Sequence, residues 1–150
     1  MADAEAVLEE LTGHFSPEIA ALGRALIARM RARVPQANAL IFDNYNACGV
    51  GFAAGEKSSQ VLLSVVLYPR WVSLFFFKGV LLDDPAGLLR GDGSVVRHIR
   101  LHDVASFDRP EVEALIAAQL DLAEPPLDPA ARGRLIVKSV SGKRRPRRPG

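Results

Sequence analysis

Arg90, Gly91, Gly93, Arg97 and His98 are the residues whose types and spacing best suit chemistry in this chain; they stand in LLRGDGSVVRH, residues 88–98. Glycines let backbone N–H groups converge on an oxyanion, and an arginine fork grips phosphate or carboxylate at two points. The pattern therefore suits a small-anion site. It is no nucleotide fingerprint, because neither GxxxxGK[ST] nor GxGxxG occurs. A plainer account competes with it: the glycines serve turn geometry, while Asp92 and Arg97 tie the loop down. His98, beside Arg97 and Arg100, could work as an acid, a base or an anion donor, or simply be a half-buried hydrogen-bonding residue.

Other chemistry-bearing residues are sparse. His98 and His102 fall on an expected strand, where four residues span about 13 Å at about 3.3 Å each, too far for one metal. No metal site is expected. Cys48, the single cysteine, reads as a buried structural thiol rather than a nucleophile, and one cysteine makes no internal disulfide, which agrees with a reducing cytoplasm. No GxSxG and no acid/base carboxylate pair is present, so no catalytic residue is assigned and the reading leans against an enzyme. Tyr68, Trp71 and Phe75 could make an aromatic ligand face, with core packing the expected use. Lys143, Arg144, Arg145, Arg147 and Arg148 form a polycation that could contact nucleic acid non-specifically by counterion release, or serve only as a solvated tail.

Charge is divided along the chain. Eight of the 19 basic residues and no acid fall in 132–150, leaving 11 basic residues against 17 acids in the remainder. The body is mildly acidic, and the pI of about 9.0 belongs to its end. With 150 residues, 49% of them apolar, a single domain is expected over 1–140, followed by a basic, disordered tail over 141–150. No run of 18 apolar residues suggests a membrane span, and MADAEAVLEEL has no basic leader or apolar core, so neither a signal peptide nor a membrane association is expected.

The elements that must carry these groups follow from periodicity. Residues 3–12 predict a short helix ended by Gly13. Ser16-Pro17-Glu18 opens a second helix with an N-cap oxygen, a proline suited to the first turn and an acid at the positive end of the dipole. Ile19, Leu22, Leu26, Ile27, Met30 and Val34 form its stripe, and Pro35 stops it. Strands are expected at 39–45, 49–53, 60–68, 71–78 and 95–104, with connections short enough for antiparallel pairing. Phe107-Asp108-Arg109-Pro110 predicts a last helix with Asp108 as N-cap, and RLIVKSV, 134–140, an edge strand or extension. The order predicts an α+β two-layer sandwich: an antiparallel meander of about five strands with helices on one face. Apolar residues of both parities on the third and fourth strands leave a second face to be covered by the C-terminal extension or by a homodimer partner.

FSPEI at 15–19, VSLFFFKG at 72–79, LLDDPAGLLRGDGSVVRHIRL at 81–101 and RLIVKSVSGKRRPRRP at 134–149 resemble the bacterial DUF1801 (YdhG-like) family of small uncharacterised domains. The resemblance implies a compact α+β domain and a cytoplasmic location; separately, no cofactor is expected. It also brings an alternative, since some relatives are described as frataxin-like iron chaperones; that role needs a ridge of carboxylates, which here only Asp3, Glu5, Glu9 and Glu10 could begin. The expected function is thus a small binding or accessory domain that holds a small anionic ligand or a protein partner near 89–98. The alternatives are a metal chaperone or a non-specific nucleic-acid binder.

Overall fold

A computed structural model of the chain describes residues 3–149. The expected helix signals work as read at the front of the chain. Helix α1 spans Ala4–Gly13 and α2 spans Pro17–Arg33. The Ser16 hydroxyl accepts the Ile19 N–H at 3.4 Å, and Pro17 occupies the first turn. Leu26, Ile27 and Met30 of α2 are buried against the sheet. Its outward arginines are not simply solvated: Arg24 pairs with Glu9, Arg31 with Glu5 and Arg33 with Glu113, at 2.6–3.1 Å, and Arg29 pairs with Asp108. Each such exposed pair contributes about 0–1 kcal/mol, so their effect is mainly to orient the helices around α2.

Six strands follow: β1 Asn38–Asp43, β2 Cys48–Ala53, β3 Val61–Leu67, β4 Val72–Phe76, β5 Arg97–Leu101 and, near the end, β6 Leu135–Ser139. They form one sheet in the order β5-β4-β3-β2-β1-β6. The first five pair as the antiparallel meander expected, and the fold is α+β with helices packed on the sheet. The extension adds the sixth strand, parallel to β1. Gly133 permits that return. A Cβ there would stand 1.6 Å from the Ala37 carbonyl oxygen, and its own N–H donates to Pro35 O at 2.9 Å.

The expected last helix is two. Asp103 caps α3, Val104–Phe107, by accepting the Ser106 N–H at 2.8 Å; α4 runs Pro110–Asp121. Asp108 is therefore not the N-cap expected of it: Arg109 holds that position, and Asp108 ends α3 and faces Arg29. β4 and β5 are also shorter than expected, because the Gly79–Leu81 turn and the loop through 96 depart from the ladder.

Parity then assigns the sheet side chains, except at the β2–β3 bulge, where Leu62 and Leu63 both join the main core. Ile41, Val50, Phe52, Leu63, Val65, Leu67, Val72, Leu74, Phe76, Ile99 and Leu101 point into the main core beneath α2 and α4. The opposite parity faces away from the helices. The trio Tyr68, Trp71 and Phe75, for which core packing was expected, lies on that other face and is only half-buried. No helix among the described residues is long and apolar enough to cross a membrane.

Gly23 is where α2 crosses β3. A Cβ there would come within 2.5–2.6 Å of three side-chain atoms of the fully buried Leu67. Gly23→Ala gains about 1 kcal/mol of helix propensity but overpacks the core at about 1–3 kcal/mol. The expected outcome is a lower urea midpoint with unchanged m-value.

Candidate functional site

The loop that carries Arg90, Gly91, Gly93, Arg97 and His98 is held by its own backbone. Arg90 and His98 exchange both main-chain hydrogen bonds, at 2.8 and 2.9 Å, a single antiparallel bridge on the outer edge of β5. Gly91 sits at φ +118°, a conformation that side chains disfavour, and its Cα side faces Arg97 Cδ and His98 Nδ1. The two guanidinium groups do not converge on a common point. Arg90 Nη1 donates to Gly87 O at 2.7 Å, while Arg97 Nη1 donates to Gly93 O and, at 2.8 Å, to Val96 O. Arg97 thus ties the loop through carbonyls, not through Asp92. Asp84 supports the approach, its two carboxylate oxygens accepting the Leu88 and Leu89 N–H groups at 2.9 Å each. His98 lies on the helix-free face, its ring 5.2 Å from Phe75, and burial, then the Arg100 and Arg90 charges, lower its pKa.

The C-terminal basic segment, expected to be disordered, is held at the surface by one buried anchor over its described residues 141–149; Gly150 lies outside the described residues. The anchor is Asp43, the buried last residue of β1. Its carboxylate accepts the Ser141 N–H at 3.0 Å, Arg144 Nε at 2.8 Å and Arg147 Nη2 at 2.9 Å. Arg147 is only 5% exposed. Its guanidinium also donates to Asn44 O at 2.7 Å and lies 5.2 Å from the centre of the Phe15 ring. Charge density alone argued for disorder; a buried, unpaired carboxylate overrides it, because its desolvation must be offset by a partner.

That docking brings other arginines beside the aromatic residues. Tyr68 N–H donates to Trp71 O at 2.9 Å and closes the Pro69-Arg70 turn, with the two rings stacked at 5.1 Å. Arg100, on the neighbouring β5, places its guanidinium 4.0 Å from the centre of the Trp71 ring. Across from this hairpin, Arg145 N–H donates to Tyr45 O at 2.9 Å, and Arg148 leans on the Gly13 and His14 carbonyls at 3.3–3.4 Å. Between them opens a cleft of about 680 Å³ lined by Asn46, Tyr68, Pro69, Arg70, Trp71, Arg145, Pro146, Arg148 and Pro149. Among the described residues no carboxylate pairs with Arg70, Arg100, Arg145 or Arg148. Of the tail residues named from sequence, Arg144 and Arg147 are structural anchors, while Arg145 and Arg148 face the cleft.

Sequence reasoning missed this cleft because it treated the aromatics and the tail separately. The available signal was parity: with Val72, Leu74 and Phe76 in the core, Trp71 and Phe75 must face the other way. Cys48 is buried opposite Asp43 in the β1–β2 ladder; burial and the Asp43 charge push its pKa up to about 12. No three His, Cys, Asp or Glu side chains among the described residues gather as metal ligands. Glu5 and Glu9, half of the carboxylate ridge a metal carrier would use, are engaged by Arg31 and Arg24.

These features define an α+β two-layer protein with one open sheet face and a cationic, aromatic cleft at its edge. Comparison with known families, with curated proteins and with solved structures gives no match: no family model, curated protein or solved structure corresponds to this chain.

Asp43→Asn removes the charge and keeps the shape. Breaking a buried pair ordinarily costs about 3–5 kcal/mol, but here the segment can swing out and rehydrate its arginines, which caps the loss at the docking free energy. Trypsin is expected to cut after Lys143 and Arg144 faster in the variant than in the wild type, while the core transition persists. Equal cleavage rates contradict the anchor. The Cys48 thiol holds its proton in the fold from its ordinary value of 9.0 up to about 12, whereas the unfolded thiol releases it. Its contribution to stability is therefore complete below about pH 9 and declines as pH rises towards 12. Urea midpoints of wild type and Cys48→Ala are expected to converge over that range.

Proposed function

We propose that this chain is a binding domain for phosphate-bearing anions, and that its binding surface is the cleft between the Tyr68–Trp71 hairpin and the docked C-terminal segment. One observation carries the reading: Arg70, Arg145 and Arg148 line one concave surface, and among the described residues no carboxylate pairs with them. An arginine fork matches phosphate geometry, and partial enclosure strengthens each charge-assisted bond. The stacked rings beside them offer a flat apolar wall, so a ligand with a charged and a planar part fits better than a bare ion. This reading prefers the cleft to loop 89–98, because Arg90 and Arg97 donate at 2.7–2.8 Å to carbonyls of their own loop, whereas Arg148 reaches the His14 and Gly13 carbonyls only at 3.3–3.4 Å and Arg145 reaches Asn46 Oδ1 at 3.4 Å. Membership of the DUF1801 (YdhG-like) family would agree with an accessory role and adds no chemistry to it.

Trp71 is the only tryptophan, so the cleft reports on itself. Titration with tripolyphosphate at fixed ionic strength is expected to change its fluorescence saturably. At about 100 times the dissociation constant, the ligand should raise stability by about 2.7 kcal/mol in a thermal-shift series. Arg145→Ala with Arg148→Ala is expected to abolish both effects, and Arg97→Ala to leave both intact. A response to tripolyphosphate no greater than to sodium chloride of equal ionic strength refutes the reading; loss of the response in Arg97→Ala alone returns the site to loop 89–98.

A further inference from the structure

The face of the sheet turned away from the helices has an unusual make-up. Register places Leu40, Gly51, Ser64, Phe75 and His98 in one row across β1 to β5. The next row is Phe42, Gly49, Val66, Ser73 and Arg100. Glycine and serine stand side by side at the middle of the first row, Val66 stands between Gly49 and Ser73 in the second, and Phe42 and Phe75 lie towards the sides. The result is a trough with a cavity of about 310 Å³, whose lining includes Phe42, Gly49, Val61, Ser64, Val66 and Phe77. Its floor is made of small side chains laid over glycines: a Cβ on Gly49 would stand 3.1 Å from Val66 Cγ2 and 3.4 Å from Ser64 Oγ, and one on Gly51 would stand 2.9 Å from Val61 Cγ1. Ser64 offers no free proton, since its hydroxyl donates to Val50 O at 3.2 Å.

This trough lies next to the cationic cleft. Val66 lines the trough and Tyr68, two residues further along the same extended strand, lines the cleft, a separation of about 7 Å. Asn44 and Asn46, joined by the Asn44 side chain accepting the Asn46 N–H at 2.9 Å, border the two on the β1 side. An apolar, partly open slot thus neighbours a cleft whose three arginines have no carboxylate partner among the described residues.

Resting on the proposed phosphate cleft, we infer that the ligand is single-stranded nucleic acid, with phosphates at Arg70, Arg145 and Arg148 and bases lying in the trough between Phe42 and Phe77. Charge complementarity sets the anionic strand, and the ring-walled slot sets unpaired bases over a duplex. Every base has a π-face, so stacking on aromatic side chains tolerates sequence. With Ser64 committed to its own sheet, the floor reads no base edge, and binding is sequence-tolerant. A duplex keeps its bases stacked inside and offers the trough nothing. An acidic protein segment would satisfy the arginines but has no planar groups to fill the slot.

The test uses the full chain and fluorescein-labelled oligo(dT) and oligo(rU) of about 12 nucleotides, within the usual site size, against a duplex of the same length, tripolyphosphate and polyglutamate. Both single strands are expected to bind at least about tenfold more tightly than the duplex or polyglutamate. A plot of log affinity against log salt should have a slope of about −2 for three phosphate contacts, falling to about −0.7 in Arg145→Ala with Arg148→Ala. Phe77→Leu is expected to weaken the single strands about tenfold and to leave tripolyphosphate binding unchanged. Phe42→Leu reads the same trough from its other wall should Phe77→Leu unfold. Equal affinity for single strand and duplex, or no loss in the folded wall variant, overturns the inference while the cleft stands. Tighter binding of polyglutamate overturns it in favour of an acidic protein partner. Loss of tripolyphosphate binding in the wild type removes the cleft itself.

Discussion

Much of this architecture depends on one buried carboxylate. Asp43 ends β1 on the covered side of the sheet, with almost no access to water. Left alone there it would be costly by several kcal/mol. Arg144 and Arg147 resolve the problem from a segment about a hundred residues away, and in doing so hold β6 and everything after it in place. The guanidinium of Arg147 gains the Asn44 carbonyl and the Phe15 ring as well, which links the start of α2 to the end of the chain. A cluster of charge that would by itself repel and extend is therefore an ordered wall. The cleft exists because that wall stands opposite the Tyr68–Trp71 hairpin.

The two faces of the sheet divide the labour. One is closed by α2 and α4 over a continuous aliphatic and aromatic core. The other carries only a small cluster around Leu40, Ala53 and Val61, with Phe42, Phe77 and Ile136 at its margin. The strand that might have covered this second face went to the edge instead, since a parallel seat beside β1 satisfies its backbone donors and acceptors, which a loop laid over apolar side chains could not do. The open face is thus a product of hydrogen-bond accounting.

Local signals were legible where they rest on neighbouring residues. Ser16-Pro17-Glu18 started a helix, and the short turns after 45, 55 and 69 forced antiparallel pairing. The α+β layering followed from element order. What the sequence hid was long-range. Asp103 as a cap was missed because Asp108 offered a rival signal beside Pro110, and only the chain path separates α3 from α4. The tail was misread because its partner is one acid among 17, distinguished only by burial. Arg90, Gly91, Gly93, Arg97 and His98 are close in sequence and share one loop, whereas Arg70, Arg145 and Arg148 come to one cleft only through the docked segment.

The distance in sequence between Asp43 and its partners has a consequence for how the chain is made. Synthesis proceeds from the N-terminus at about 5–20 residues per second, so the β1–β2 hairpin is complete seconds before Arg144 and Arg147 exist. During that interval the carboxylate has no counterion and favours a solvated, open end of β1. The meander can form early from its short-range pairings, while the join between the first helices and the last strand waits for the final arginines. Segment 141–149 then acts as a clasp that can fasten only after β1 has been made, so the cationic wall is a late product of folding.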